Sequence, residues 1–190
     1  MKRNSSWGRW SLIAAISSLL AVSSSALAQE TGTYGSPVSF GVMGGISIPL
    51  GDYADFAGTG WHAGGLLEWN APTFPVGIRV EGVYHKFGDK DELDLYPNII
   101  AGLANVVWHF PMTQPYTVRP YLIGGGGIYN ERCDGCESQT KFGLNGGAGI
   151  SVPLSGFSTI VEARFHIVFD SESGSSNSTF IPISVGLLFR

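Results

Sequence analysis

Charge is scarce in this chain: Asp, Glu, Lys and Arg together make up 14% of 190 residues. Acidic side chains outnumber basic ones, 15 to 11. No basic patch is therefore present to neutralise phosphates, and nucleic acid is excluded as a partner. Cysteine is nearly absent, with two residues. That rules out a disulfide-rich scaffold and a zinc centre built on cysteines alone, which needs about four ligands. Past residue 28 no apolar run reaches about 18 residues, the length of a membrane-spanning helix. No segment keeps a helical period, so a helical bundle is not expected either. Glycine and aromatics are plentiful instead, with 27 Gly and 12% Phe, Trp and Tyr. Few charges with many glycines and aromatics suit a sheet protein whose outer face does not meet water.

The first residues read as a targeting segment. Lys2, Arg3 and Arg9 lead into the apolar run Trp10 to Val22, and Ala26-Leu27-Ala28 supplies the small-x-small pattern of a cleavage site. We expect a secretory signal peptide over 1–28, cut after Ala28, then an N-terminal lead over 29–37 and a single domain over 38–190. Gln29 rather than Cys follows the cut, so a lipoprotein anchor is not expected. Three of the 11 Lys and Arg leave with the signal and no acidic residue does, which gives the mature chain 8 minus 15, or −7.

From Val38 onward the chain reads as eight extended segments: Val38–Pro49, Gly60–Asn70, Val76–Phe87, Asn98–Phe110, Val118–Asn130, Lys141–Pro153, Ser158–Asp170 and Thr179–Arg190. The breaks between them alternate in kind. APTFP (71–75), PMTQPYT (111–117) and LSGF (154–157) are short and carry no acid. The other four are longer and, with Glu131 and Asp170, hold 11 of the 15 acidic residues. An up-and-down antiparallel sheet puts alternate connections at opposite ends. Short turns at one end and long loops at the other is the pattern of a transmembrane β-barrel.

Which face is inside follows from comparing segments. Glu162, Arg164 and His166 alternate with Val161, Ala163, Phe165 and Ile167. Arg79, Glu81 and His85 oppose Ile78, Val80 and Tyr84, and His62 and Glu68 oppose Trp61, Leu67 and Trp69. A soluble barrel would turn the bulky sides inward, but eight such strands overfill a lumen just wide enough for side chains. The polar sides carry Gly, Ser and Asn around a few long charged residues, which is the volume profile of a lumen. Charges balance there if Glu68, Glu81 and Glu162 face Arg79, Arg119 and Arg164, and a buried charge is tolerated when paired. The charged faces are therefore expected inside and the apolar faces in lipid. Phe40, Trp61, Trp69, Tyr84, Trp108, Phe110, Phe142, Phe165 and Phe189 share the outward phase, several of them near strand ends where interfacial girdles belong.

So phased, PYLIGGGGIY (120–129), FGLNGGAGISVPL (142–154), VEARFH (161–166) and FIPISVGLLF (180–189) resemble the small outer-membrane barrels of the OmpA-like and OmpX-like kind. The resemblance covers roughly residues 38–190 and is one of pattern. It implies an all-β, eight-stranded antiparallel up-and-down transmembrane barrel in the cell outer membrane, with periplasmic termini and acidic loops outside. It implies outer-membrane lipids and lipopolysaccharide as surroundings and the barrel-assembly machinery as a partner during insertion. Members of the family end on an aromatic which that machinery reads; here Phe189 has the right phase and Arg190 follows it. A peptidoglycan-binding domain after the barrel is not expected, and neither is the anchoring role of longer members.

Several residues look like chemistry. Glu162, Arg164 and His166 with Arg79, Glu81 and His85 resemble an acid–base cluster, but they read better, with Glu68 and Arg119, as a lumenal ion-pair network that leaves no path for substrate or ions. Lipid A deacylases pair a His with a Ser two residues on in a lipid-facing strand, and none of His62, His85, His109 and His166 has one. An enzyme is therefore not expected, and neither is a cofactor. Cys133-Asp134-Gly135-Cys136 sits between two segments and reads as a loop disulfide rather than a redox centre. Asp89, Asp91, Glu92 and Asp94 form an acidic stretch that could hold a weakly bound divalent cation, although the calcium-loop spacing and its Gly are missing. GGGG (124–127) lies within a strand and not before a helix, so it is not a phosphate cradle. The expected function is envelope-structural or surface-interacting through the loops. The alternatives are an adhesin or host-factor binder, a lipid A-modifying enzyme, and a soluble periplasmic ligand-binding barrel.

Overall fold

Glycine-spaced, alternating sequence can coil sharply, and here eight strands coil until the sheet meets itself. The computed structural model describes residues 37–71, 73–89, 98–111, 118–132, 138–170 and 176–190. The strands are β1 (Val38–Leu50), β2 (Ala57–Asn70), β3 (Val76–Asp89), β4 (Asn98–His109), β5 (Arg119–Arg132), β6 (Gln139–Pro153), β7 (Phe157–Val168) and β8 (Ser178–Phe189). Each pairs antiparallel with its chain neighbours, and β8 pairs with β1 from Phe40↔Phe189 to Leu50↔Thr179, which closes the barrel. Closure leaves no sheet edge unpaired, which is what allows a sheet to sit in lipid.

The short connection after β6 is a tight turn, in which the Leu154 N–H donates to the Phe157 carbonyl at 2.8 Å. Gly156 in the same turn takes a φ of +85°, a conformation that favours glycine. At the other end the strands run past the segments read from sequence: β2 begins at Ala57 across an irregularity between Gly58 and Trp61, and β5 reaches Arg132. The first long connection also holds one helical turn, α1 (Tyr53–Phe56), closed by the Ala57 N–H on the Tyr53 carbonyl and led into by the Ala54 N–H on the Gly51 carbonyl at 2.9 Å. Four residues are too few to print a period on the sequence.

Side chains sort by face along every strand. Phe40, Leu67 and Val185 on the outside are more than half exposed, whereas Arg79, Glu162 and His166 on the inside are at most 2% exposed. The outer wall is thus the apolar surface of the molecule and the lumen its polar core. Inward glycines make this packing possible. At Gly45 a Cβ would run into the Ile183 carbonyl of β8, so the two backbones can approach as they do only without one.

Candidate functional site

The lumen is filled in levels. Nearer the short turns lies the ion-pair network. Arg79 on β3 donates from Nε to Glu68 Oε2 on β2 at 2.7 Å and from Nη1 to Glu162 Oε2 on β7 at 2.8 Å. Arg164 on β7 grips Glu81 on β3 with two bonds, Nη1 to Oε2 at 2.6 Å and Nη2 to Oε1 at 3.0 Å. Its Nε also lies 2.6 Å from Glu162 Oε1, an ion contact outside hydrogen-bonding alignment. The two arginines therefore tie β2 and β3 to β7 across the lumen. Charge-assisted and bidentate bonds of this kind carry the directional part of the packing.

Neutral groups complete the network. The Tyr121 hydroxyl donates to Glu162 Oε2 at 2.7 Å, Asn105 Nδ2 to Glu81 Oε2 at 3.1 Å, and Asn70 Nδ2 to Glu68 Oε1 at 2.9 Å. Asn145 donates to Asn105 at 2.9 Å, which extends the chain of bonds to β6. The Arg79 guanidinium carbon lies 5.4 Å from the centre of the Tyr121 ring, within cation–π reach.

Above this lies a histidine level. Ser47 Oγ stands between the Nδ1 atoms of His62 and His85, at 3.1 and 2.9 Å, and His62 Nε2 meets Ser184 Oγ at 2.9 Å. His166 Nδ1 pairs with the Tyr129 hydroxyl at 3.0 Å. Because Ser47 carries a single proton, it donates to one of its two imidazoles and accepts from the other.

Toward the long connections the lumen is closed by apolar groups: Ala57, Phe87, Ile99, Ala101, Leu103, Tyr129, Val168 and Phe180, all buried. Tyr53 of α1 packs onto this cap, its ring edge-on to Phe87 with centroids 5.2 Å apart. Burial pushes the Tyr53 phenol above its ordinary range, and the nearby Glu131 carboxylate pushes it further. At the rim, Lys141 joins β5 to the segment after β7 by pairing with Glu131 and Asp170, each at 2.8 Å.

Seven of the eight residues named from sequence for the lumen lie inside it and buried: Glu68, Arg79, Glu81, His85, Glu162, Arg164 and His166. The ion pairs join the five charged ones, while His85 and His166 belong to the histidine level. Arg119 does not join them. It shares their phase but is the first residue of β5, at the rim, where it is exposed. Among the described residues the ion-pair network therefore holds three carboxylates to two guanidiniums rather than three to three, and the hydroxyl and amide donors above make up the difference in hydrogen bonds. His62 was placed on the inward face from sequence but not in the network, and Ser47, Ser184, Tyr121, Tyr129 and Asn105 were not named from sequence. Their odd–even phase was the signal, masked on β5 by the run Gly124 to Gly127.

The Cys133 and Cys136 pair lies outside the described residues, as do Asp91, Glu92 and Asp94. Asp89 ends β3 with its backbone beside Ala57. Among the described residues no group of three or more His, Cys, Asp or Glu is arranged to hold a metal ion.

No protein-family model matches the chain, and neither does any curated protein. Solved structures do. Neisserial surface protein A is similar over 81% of this chain and 97% of its own, at 14% identity and a TM-score of 0.66. The N-terminal β-barrel domain of Pseudomonas aeruginosa OprF is similar over 82% of this chain and 100% of its own, at 16% identity and a TM-score of 0.53. A major outer membrane protein from Thermus thermophilus is similar over 80% of this chain and 98% of its own, at 15% identity and a TM-score of 0.53. At these identities the likeness is one of fold: an eight-stranded barrel of the outer-membrane type.

Proposed function

We propose that this chain is an outer-membrane barrel whose interior is a structural plug, and that it works through its long connections in an envelope-structural or surface-interaction role. The observation that carries this is the inverted solvation of the wall: apolar side chains outside, paired charges inside. An outer wall with Phe40, Val42, Leu67, Val80, Val106 and Val185 half exposed or more suits hydrocarbon. The fold likeness to solved outer-membrane barrels supports the same location.

The lumen supports a role other than transport or catalysis. Its carboxylates and guanidiniums are committed to each other, and the cap above them brings rings into contact, with Phe87 and Phe180 centroids 5.5 Å apart. Residues 1–28 serve as the leader to the secretory route, and Phe189, at the end of β8, as the aromatic offered to the assembly machinery. The acidity of the long connections, which hold nine of the 15 Asp and Glu beyond the strand ends, favours a surface that meets other molecules there.

Heated and unheated outer-membrane fractions compared on an SDS gel test this reading. The unheated protein should run at a different apparent mass, because a closed barrel resists SDS until boiled. Reconstituted in planar bilayers it should show no conductance steps. A periplasmic protein with no mobility shift would overturn the reading in favour of a soluble ligand-carrying barrel. A change in lipid A mass in cells lacking the protein would overturn it in favour of an enzyme.

A further inference from the structure

Charge on the barrel wall is sorted by sign as well as by face. Glu68, Glu81, Glu131 and Glu162, the strand carboxylates with described side chains, all have the inward phase and are buried or partly buried. The outward phase carries only two charged side chains among the described strand residues, Lys86 on β3 and Arg132 on β5, both cationic and both exposed. Both stand at the long-connection end. The register places them in one row, Lys86↔Asn98 and Asn98↔Arg132. Two interstrand spacings therefore separate them, roughly 10 Å.

This row is built rather than scattered. Arg132 Nε donates to Asn130 Oδ1 at 2.6 Å, and Asn130 Nδ2 donates to Thr140 Oγ1 at 2.9 Å. The guanidinium is thus held against the wall through Nε, and that bond does not use its two terminal nitrogens. Toward the middle of the barrel the same strands present Tyr84, Ile100, Ile128 and Phe142, an apolar wall, with Trp61 of β2 beside Tyr84 at 5.7 Å between ring centres. On the opposite flank the outward residues at this end include Ile48 and Leu50 of β1, Ile167 of β7 and Thr179 and Ile181 of β8, with no cation among the described residues. Cations above an apolar wall, on one flank only, match a ligand that has phosphates above acyl chains.

We propose that Lys86, Asn98, Asn130 and Arg132 form a recognition row for the phosphates of a phosphorylated glycolipid in the outer leaflet, whose acyl chains lie against Tyr84, Ile100, Ile128 and Phe142. This rests on the outer-membrane reading above. Guanidinium and ammonium groups at an anionic surface each add attraction, and Arg132 is the one pre-oriented to bind two phosphate oxygens.

The full chain, folded in a zwitterionic detergent and incubated with bisphosphorylated or dephosphorylated lipid A, can be weighed with its bound lipid by native mass spectrometry. The wild type should retain the bisphosphorylated lipid and lose the dephosphorylated one. Lys86→Ala/Arg132→Ala should lower retention roughly tenfold or more, the order set by two surface cations. Lys86→Arg should keep it, and Arg132→Lys, which keeps the charge but loses the two-pronged donor, should fall between the wild type and the alanine variant. Equal retention by the alanine variant, or of the dephosphorylated lipid, would overturn the proposal while the heat-shifted gel band still certified the barrel. Loss of that band in the wild type would instead overturn the outer-membrane reading on which the row depends.

Discussion

Near the long connections the lumen is closed by rings and aliphatic groups, Phe87, Phe180, Ile99 and Val168, whereas nearer the short turns it is closed by Arg79, Arg164 and three glutamates. The two regions fill similar space with opposite chemistry. Apolar contact has no direction, so the cap needs only the right volume in roughly the right shape. An ion-pair network needs each partner, because a charge left alone in the interior costs more than the pair contributes. The cap should therefore forgive substitution and the network should not.

The sharpest way to break that contrast is Arg79→Met. It keeps an unbranched side chain but leaves Glu68 without its guanidinium and Glu162 with Arg164 alone. Unfolding by urea in detergent, followed by tryptophan fluorescence, should show a loss of about 3–5 kcal/mol, or no folded barrel at all. A loss under about 1 kcal/mol would mean the network is incidental to stability.

Gly149→Ala tests the same level indirectly. Its Cβ would lie 2.5 Å from the Tyr121 hydroxyl and 2.8 Å from the Val161 carbonyl, so the ring must leave Glu162 or the strands must part. A loss of about 1–3 kcal/mol is expected, the range for orphaning a buried acceptor. Adding Tyr121→Phe should then cost little more, since both changes remove one bond; full additivity in the double mutant would contradict that route.

The smallest effect is expected in the cap. Phe180→Leu keeps an apolar side chain of similar reach among Phe87, Tyr53 and His166. It should cost less than about 1.5 kcal/mol and leave the heat-shifted band in place. A cost equal to that of Arg79→Met would erase the distinction between the two halves.

Much of this was legible in the chain alone. Alternation in Val161 to Phe169 and Val76 to Phe87 showed which residues share a face, and the volume of the apolar sides showed that this face must be outside. Arg119 was misplaced because phase alone does not report depth: a residue can have the inward phase and still sit at the rim. Tyr121 and Tyr129 went unnamed beside a glycine run that carries no phase contrast, and α1 is a single turn too short to show a period.

The amino-acid sequence by itself determined the strands, their faces and the two kinds of connection, because each depends on residues that are neighbours in the chain and repeat with a period of two. Only the tertiary structure decided who meets whom across the lumen. Arg79 reaches Glu162 from 83 positions away, and Ser47, His62 and His85 meet on three different strands. Those meetings are set by how the sheet closes, and closure depends on the register and coiling of all eight strands together, which no local pattern encodes.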